Sequence, residues 1–240
     1  MKLVLMVLLS LSVLGAAEAA TTVIYFGGYG ASQEQMKCWE DGARKDPRYA
    51  GYDFKAFPYP IGATGAKASV LAAGENTIQR VLKRIGEMSA RDPKRKFIIA
   101  GHSSGAALAN AVAERVKNPS QVELVDLDGF AASPLLQKRI KTTCVYAENP
   151  NTGLRSRNAG SMTTNCPKQN QKRYPAAQCK TAWCLHFAVV NTKAPPYLGS
   201  DFKQNGYKGC GTNLDKWLAA SPADASREPE TTPQDSAPVH

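Results

Sequence analysis

One short stretch of the chain places a hydroxyl side chain between two glycines, a pattern that can present a nucleophile. Residues 101–105 read Gly-His-Ser-Ser-Gly, and they follow the apolar run Phe97–Ala100 and precede the helical pattern Ala106–Val116. In such a strand–turn–helix unit the serine adopts a strained backbone conformation, and a side chain at either glycine would collide with neighbouring backbone. The helix dipole and free amides favour developing negative charge beside it. Ser103 is therefore predicted to be a nucleophile.

Activation of a serine hydroxyl requires a general base, and the chain contains only three histidines. His102 lies inside the turn, with its side chain directed away from that of Ser103, and His240 ends the chain. His186 is left as the predicted base, which would remove the Ser103 proton and return it to the leaving group.

Three carboxylates after Ser103 are candidates for the group that orients the base. Asp126 lies on a predicted strand, Asp128 lies at the exit of that strand, and Glu148 ends the next strand. No Asp or Glu occurs between Glu148 and His186. For Asp126, the other interpretation is a buried carboxylate that accepts hydrogen bonds from backbone donors at the strand ends.

The elements that must position these side chains alternate along the sequence. Short, β-branched apolar runs predict strands, and apolar residues at helical spacing predict helices between them. The predicted strands are Thr22–Phe26, Phe97–Ala100, Val122–Leu127 and Thr142–Ala147, with a weaker candidate at Phe54–Phe57; the predicted helices are Asn76–Met88 and Ala106–Val116. This alternation predicts an α/β fold with a mostly parallel open sheet flanked by helices, whose ligand site lies beyond the carboxyl ends of the strands.

The turn and its setting resemble the nucleophile elbow of the α/β-hydrolase superfamily, in which many lipases and esterases carry Gly-His-Ser-x-Gly. The resemblance implies a serine nucleophile, a histidine base near the C-terminal end of the domain, where His186 lies, and an acid. Asp128 follows the serine by 25 residues, which resembles the arrangement in pancreatic-type lipases, and we favour it as the acid. Glu148 stands nearer the position more usual in the family, so Glu148 and Asp126 remain alternatives.

The resemblance also implies two backbone donors for an oxyanion. One is the amide of the residue after the nucleophile, Ser104, and the other comes from the loop after an early strand. That loop is Phe-Gly-Gly-Tyr-Gly at residues 26–30, where the Gly28 or Tyr29 amide is the predicted donor. The first predicted strand begins directly after residues 1–19, which have the features of a signal peptide. This implies a reduced α/β-hydrolase sheet, similar in size to cutinase-like esterases. The mechanism calls for no metal and no cofactor.

Three segments are expected along the chain. Residues 1–19 have the features of a signal peptide, with cleavage after Ala19, and residues 20–220 form the hydrolase domain. Residues 221–240, rich in Pro, Ser, Ala and Thr, are predicted to be a disordered acidic tail. The tail carries a net charge of −3 and residues 20–220 carry +13, so attraction of the body to an anionic surface is one possibility and solubility is another.

Six cysteines follow the predicted cleavage site, and five of them lie between Cys144 and Cys210. An even count in an exported chain predicts three disulfides, concentrated in the C-terminal half, and a secreted or periplasmic location. A zinc site is disfavoured because no Cys-x-x-Cys pair occurs.

The sequence thus predicts an exported serine hydrolase that cleaves a carboxylic ester of a small molecule, a lipid or another acylated compound, through an acyl-enzyme on Ser103. The alternatives are a thioesterase or amidase of the same fold, and a catalytically silent binding protein for an anionic partner. Nucleic acid and a membrane-spanning segment after cleavage are not expected.

Arg155 and Arg157 either face the cleft and favour anionic substrates or lie in a solvated loop. Six aromatic residues are candidates for a pocket or for core: Tyr29, Trp39, Tyr59, Trp183, Phe187 and Tyr197.

Overall fold

The computed structural model describes residues 20–191 and 196–199, together with Tyr207, Leu214 and Leu218. In this part of the chain six strands form one sheet in the order β2-β1-β3-β4-β5-β6, and every neighbouring pair is parallel. The strands are Thr21–Phe26 (β1), Tyr52–Phe57 (β2), Lys96–His102 (β3), Val122–Leu127 (β4), Lys141–Glu148 (β5) and Gln171–Pro175 (β6). The predicted parallel α/β sheet is confirmed. The predicted signal peptide and acidic tail, and also Cys210 and His240, lie outside the described residues.

Six α-helices connect the strands in the described ranges. They are Gln33–Arg44 (α1), Lys67–Arg91 (α2), Ala106–Arg115 (α3), Pro134–Arg139 (α4), Ala159–Asn165 (α5) and Ala182–Ala188 (α6). Helix α2 extends beyond the predicted range Asn76–Met88 at both ends. Its first turns bury Val70 and Gly74 and lack the large apolar side chains from which the helix is predicted. Helix α1 begins with a capping box formed by Ser32 and Gln35, a sequence signal that also predicts a helix start. None of the helices in these ranges has the length and apolar character needed to cross a bilayer.

Both faces of the sheet are covered by helices, which buries most residues of the central strands. On β1, Val23 and Tyr25 point into one core with α1 and α6, whereas Ile24 and Phe26 point into the other core with α2 and α3. This alternation follows from the two-residue period of a strand. The carboxyl ends of β1, β3 and β4 therefore lie side by side at one edge, the place where an α/β sheet binds its ligand.

Strand β6 has no counterpart among the sequence predictions. Gln171–Pro175 is an edge strand that carries Lys172 and Arg173, both exposed. Charged side chains and a terminal proline are typical of edge strands, which need no apolar run. The apolar periodicity that marks β1 to β5 is absent here, so the pattern used for the other strands does not detect it.

Two disulfides join elements of the C-terminal half. Cys144 on β5 is bonded to Cys166 at the end of α5, and Cys179 is bonded to Cys184 in the first turn of α6. Cys38 is also disulfide-bonded. The second pair ties the loop before α6 to the helix that carries His186. The prediction of a disulfide-stapled C-terminal half is confirmed.

Candidate active site

The serine elbow has the backbone conformation that its sequence predicts. Ser103 follows β3 with a φ of 53°, in the left-handed region, and begins a single 3₁₀ turn that leads into α3. A Cβ atom added at Gly101 would lie 2.5 Å from the Ala106 Cα, and one added at Gly105 would lie 2.5 Å from the Gly27 carbonyl oxygen. Both glycines are therefore required by close backbone approach, which allows β3, the elbow and the loop after β1 to pack together.

His186 is positioned by α6, which begins at the N-cap residue Thr181. Its side chain is buried, and its Nδ1 lies 2.5 Å from the Asp128 Oδ2. Because a carboxylate can only accept, Nδ1 carries the hydrogen and donates it. Nε2 is then the ring nitrogen that is able to accept a proton.

Asp128 is held at the exit of β4 by partners on a distant loop. The residue is fully buried and has a φ of 44°, and its Oδ1 accepts a hydrogen bond of 2.7 Å from the Ser156 hydroxyl. The Asn158 amide donates to Oδ2 at 3.4 Å, and the Asn158 side chain donates to the Asp128 carbonyl oxygen at 2.7 Å. Ser156 and Asn158 were not predicted from the sequence, because no local motif marks a contact between residues about thirty positions apart.

The other two candidate carboxylates have different partners. Glu148 accepts hydrogen bonds of 3.1 Å from both Arg155 and Arg173. Asp126 is buried, and its Oδ2 accepts from the Ala132 amide at 2.9 Å, in agreement with the structural interpretation of this residue. Burial raises the pKa of Asp126 to about 8. Of the three carboxylates, Asp128 is the one that contacts His186.

Ser103 and His186 line the same cavity, whose volume is about 210 Å³. No direct hydrogen bond joins their side chains within the described structure, and such contacts are often long before substrate binds. The remaining lining residues are Tyr29, Gly65, Ser104, Phe130, Asn158, Trp183, Phe187 and Tyr207. They include three of the six aromatic candidates.

The remaining three aromatic candidates lie outside the lining of this cavity. Trp39 belongs to the core, stacked on Tyr25 with a centroid distance of 4.6 Å. Tyr197 is 69% exposed and lies beside Lys180. Tyr59 packs edge-on against Tyr29 and accepts a hydrogen bond from the Gly65 amide, so it supports the cavity wall from behind.

A chain of hydrogen bonds joins the loop after β1 to the elbow and to α6. The Gly28 amide donates to the Tyr207 hydroxyl at 2.6 Å, that hydroxyl lies 2.6 Å from the His102 Nδ1, and the His102 Nε2 lies 2.9 Å from the His186 carbonyl oxygen. Burial, and then the neighbouring His186, hold the pKa of His102 well below its ordinary value. Burial likewise raises the pKa of the Tyr207 hydroxyl.

These pKa directions fix the donor and acceptor of each bond. The neutral His102 must donate from Nε2, since a carbonyl oxygen only accepts, and its Nδ1 therefore accepts from the Tyr207 hydroxyl. The Gly28 amide is already engaged by the Tyr207 oxygen. The prediction of Gly28 as an oxyanion donor is corrected for this reason, and Tyr29 and Ser104 remain the predicted donors.

The described residues contain no cluster of three or more His, Cys, Asp or Glu side chains that could hold a metal ion.

The six parallel strands, the helices on both faces and the strained serine turn after β3 form an arrangement similar to the α/β-hydrolase fold. No protein-family model and no curated protein matches the chain. Solved structures do match it: esterase PE8 is 16% identical, with 66% of this chain and 83% of that chain covered and a TM-score of 0.41. A cutinase-like protein from Cryptococcus sp. is 12% identical, with 82% and 94% covered and a TM-score of 0.39. A lipase-esterase related protein from Clostridium acetobutylicum is 12% identical, with 72% and 89% covered and a TM-score of 0.42.

Proposed function

We propose that the chain is an exported serine hydrolase that cleaves a carboxylic ester, with Ser103, His186 and Asp128 as nucleophile, base and acid. The observation that carries this proposal is the 2.5 Å contact between His186 and Asp128, beside a cavity that also holds the strained Ser103. A buried carboxylate that orients a histidine next to an elbow serine is the arrangement that activates a serine hydroxyl.

In the proposed reaction, the His186 Nε2 takes the proton of the Ser103 hydroxyl while Oγ attacks the ester carbonyl carbon. The tetrahedral intermediate collapses, the C–O bond to the alcohol breaks, and His186 gives its proton to the departing oxygen. A water molecule then attacks the acyl carbon while His186 takes its proton. The bond between this carbon and the Ser103 Oγ breaks, the acid product leaves, and His186 returns the proton to Oγ. The Asp128 carboxylate stabilises the imidazolium, and its hydrogen bonds from Ser156 and Asn158 hold it in place.

The oxyanion would be stabilised by the backbone amides of Ser104 and Tyr29. The support for Tyr29 is its place in the cavity wall directly after Gly28. Gly28 approaches the elbow closely, since a Cβ atom added there would lie 2.7 Å from the Ser103 Cβ. Tyr207, which binds the Gly28 amide, would thus be a positioning residue for the oxyanion loop.

The size of the cavity favours a short acyl group. Its volume of about 210 Å³ lies below the range of roughly 300–1,000 Å³ that drug-sized ligands occupy. A water molecule takes up about 30 Å³ in the liquid, so the space accommodates a few heavy atoms of substrate. We therefore propose esters of short acyl groups, from acetyl to pentanoyl, rather than esters of long fatty acids.

Export is supported by cysteine chemistry. The Cys144–Cys166 and Cys179–Cys184 bonds are of a kind that forms in oxidising compartments. Together with the predicted signal peptide, they support a periplasmic or extracellular location.

Labelling with a fluorophosphonate, which reacts with activated serines, tests the proposal. We expect the wild type to be labelled and to hydrolyse p-nitrophenyl acetate, and Ser103→Ala to lose the label and about 10⁴-fold or more of kcat/KM. Ser89→Ala, on α2 and away from the cavity, is the matched control and should keep both. A folded wild type that neither takes the label nor hydrolyses esters of any length would refute the proposal and favour the silent binding protein.

A further inference from the structure

Arg157 places a positive charge against one of the residues that line the catalytic cavity. Its guanidinium carbon lies 4.5 Å from the centroid of the Trp183 ring, and Trp183 forms part of the cavity wall. Stacking on an aromatic face restrains an arginine that is otherwise exposed, as Arg157 is here. The cation therefore has a defined position and still faces solvent, where a ligand can reach it.

The distance from this charge to the reacting groups is short enough for one substrate to meet both. The Trp183 ring lies 5.5 Å from the His186 ring, centroid to centroid. Since the guanidinium stacks on the same tryptophan, it lies within roughly 10 Å of the catalytic imidazole, a span comparable to three residues of extended chain.

The neighbouring arginines share a carboxylate partner, and Arg157 has none within the described ranges. Arg155 and Arg173 both pair with Glu148 at 3.1 Å. Arg157 has no carboxylate partner within the described ranges, and the residues that line the cavity include no Asp, Glu, Lys or Arg. Arg157 is thus an unpaired cation stacked on a residue that lines the cavity.

We infer that the Arg157–Trp183 pair is a subsite for an anionic group, and that the ester substrate carries a carboxylate or a comparable anion near the scissile bond. This inference rests on the proposed function. A guanidinium offers a planar fork of N–H donors that matches a carboxylate with two parallel hydrogen bonds. The anion lies either on the acyl portion or on the alcohol portion of the substrate, and the two arms of the experiment distinguish these.

The test compares pairs of esters that differ in charge and little else. On the acyl side the pair is mono-p-nitrophenyl glutarate and p-nitrophenyl pentanoate; on the alcohol side it is 4-acetoxybenzoate and 4-acetoxybenzamide. For at least one pair we expect the wild type to favour the anionic member. Arg157→Gln should lower kcat/KM for that member about five- to tenfold, the loss expected for a partly exposed charge-assisted contact, and leave the neutral member within about twofold.

The matched control is Arg155→Gln, which removes an arginine from the same loop and should change neither member of either pair. Raising the salt concentration should lower the ratio of kcat/KM for the anionic ester to kcat/KM for the neutral ester in the wild type. In Arg157→Gln this ratio should change little with salt. Equal losses on charged and neutral esters, or no anionic preference in either pair, would overturn the inference.

Fluorophosphonate labelling of the same preparations separates the two levels. A protein that takes the label at Ser103 but shows no charge preference refutes the subsite alone. A folded protein that takes no label and hydrolyses none of these esters refutes the hydrolase itself.

Discussion

Two groups of hydrogen-bonded residues flank the Ser103–His186 pair, and they differ in whether a charged group takes part. The acid side consists of Asp128, Ser156 and Asn158, in which an ionisable carboxylate collects donors from a distant loop. The amide side consists of Gly28, His102 and Tyr207, in which each group donates to the next and burial favours the neutral forms of His102 and Tyr207.

This difference indicates that the acid side contributes to catalysis through charge and that the amide side contributes by positioning the neighbouring backbone. A carboxylate beside an imidazole fixes its tautomer and stabilises the positive charge that develops during attack. A neutral hydrogen-bonded chain develops no charge; it only holds the oxyanion loop, the elbow and α6 at fixed distances. Loss of the acid should therefore cost far more catalytic rate than loss of a link on the amide side.

The largest effect is expected for Asp128→Asn. The asparagine side chain would present an NH₂ group or a neutral oxygen to the His186 Nδ1, so the imidazole would adopt the wrong tautomer or lose its electrostatic support. Asparagine tolerates the left-handed backbone found at this position, where φ is 44°, so the fold should persist. We expect kcat for p-nitrophenyl acetate to fall by roughly a thousandfold or more.

Glu148→Gln is the matched control for that variant, since it neutralises another carboxylate near the end of a strand. Glu148 pairs only with exposed arginines on the surface side, and its variant should retain kcat within about twofold. A near-normal rate in Asp128→Asn together with a crippled Glu148→Gln would reverse the assignment of the acid.

A smaller effect is expected for Tyr207→Phe, which removes the central link of the amide side. The Gly28 amide and the His102 Nδ1 would both lose their partner, at a cost of about 1–3 kcal/mol in unfolding free energy. We expect kcat to fall about three- to tenfold, with KM little changed, because the oxyanion loop would be less well positioned.

The control for Tyr207→Phe is Tyr146→Phe, at a buried tyrosine that packs with the Cys144–Cys166 pair outside the cavity. It should leave kcat unchanged. If Tyr207→Phe lowered kcat as strongly as Asp128→Asn, the distinction between a charged side and a positional side would fail.

The sequence predicts those parts of the site that depend on local patterns. Ser103 follows from a motif whose glycines are required by backbone contact, and His186 follows because only three histidines occur. The choice among Asp126, Asp128 and Glu148 could not be made from spacing, since all three lie at or near strand ends and only the packing of α6 decides which one meets the imidazole.

The hydrogen bonds of the amide side could not be predicted from the sequence either, because they join residues far apart in the chain. Tyr207 is 179 positions from Gly28 and 105 from His102, and no local pattern reports contacts over such separations. The same holds for Ser156 and Asn158, which reach Asp128 from the loop after β5. Long-range hydrogen bonds between single residues carry no periodicity, whereas strands and helices do.

The smallest effect on kcat, about twofold or less, is expected for Asp126→Asn. This variant allows Asp126 to be compared with Asp128 at the end of the same strand. Asp126 and Asp128 are two residues apart and equally buried, but Asp126 accepts a hydrogen bond from a single backbone amide and does not contact His186. Burial raises its pKa to about 8, so it remains protonated in the folded protein at neutral pH. An asparagine amide mimics that neutral state.

The signature of Asp126 is instead the pH dependence of stability. In the unfolded chain its pKa is about 3.9, so between pH 4 and 8 the folded state binds more protons than the unfolded state, and stability declines as pH rises. Asp126→Asn removes this decline. Its unfolding free energy in urea should therefore rise relative to the wild type from pH 4.5 to pH 8, by an amount on the order of a few kcal/mol. A difference that stays constant across this range would contradict the raised pKa of Asp126.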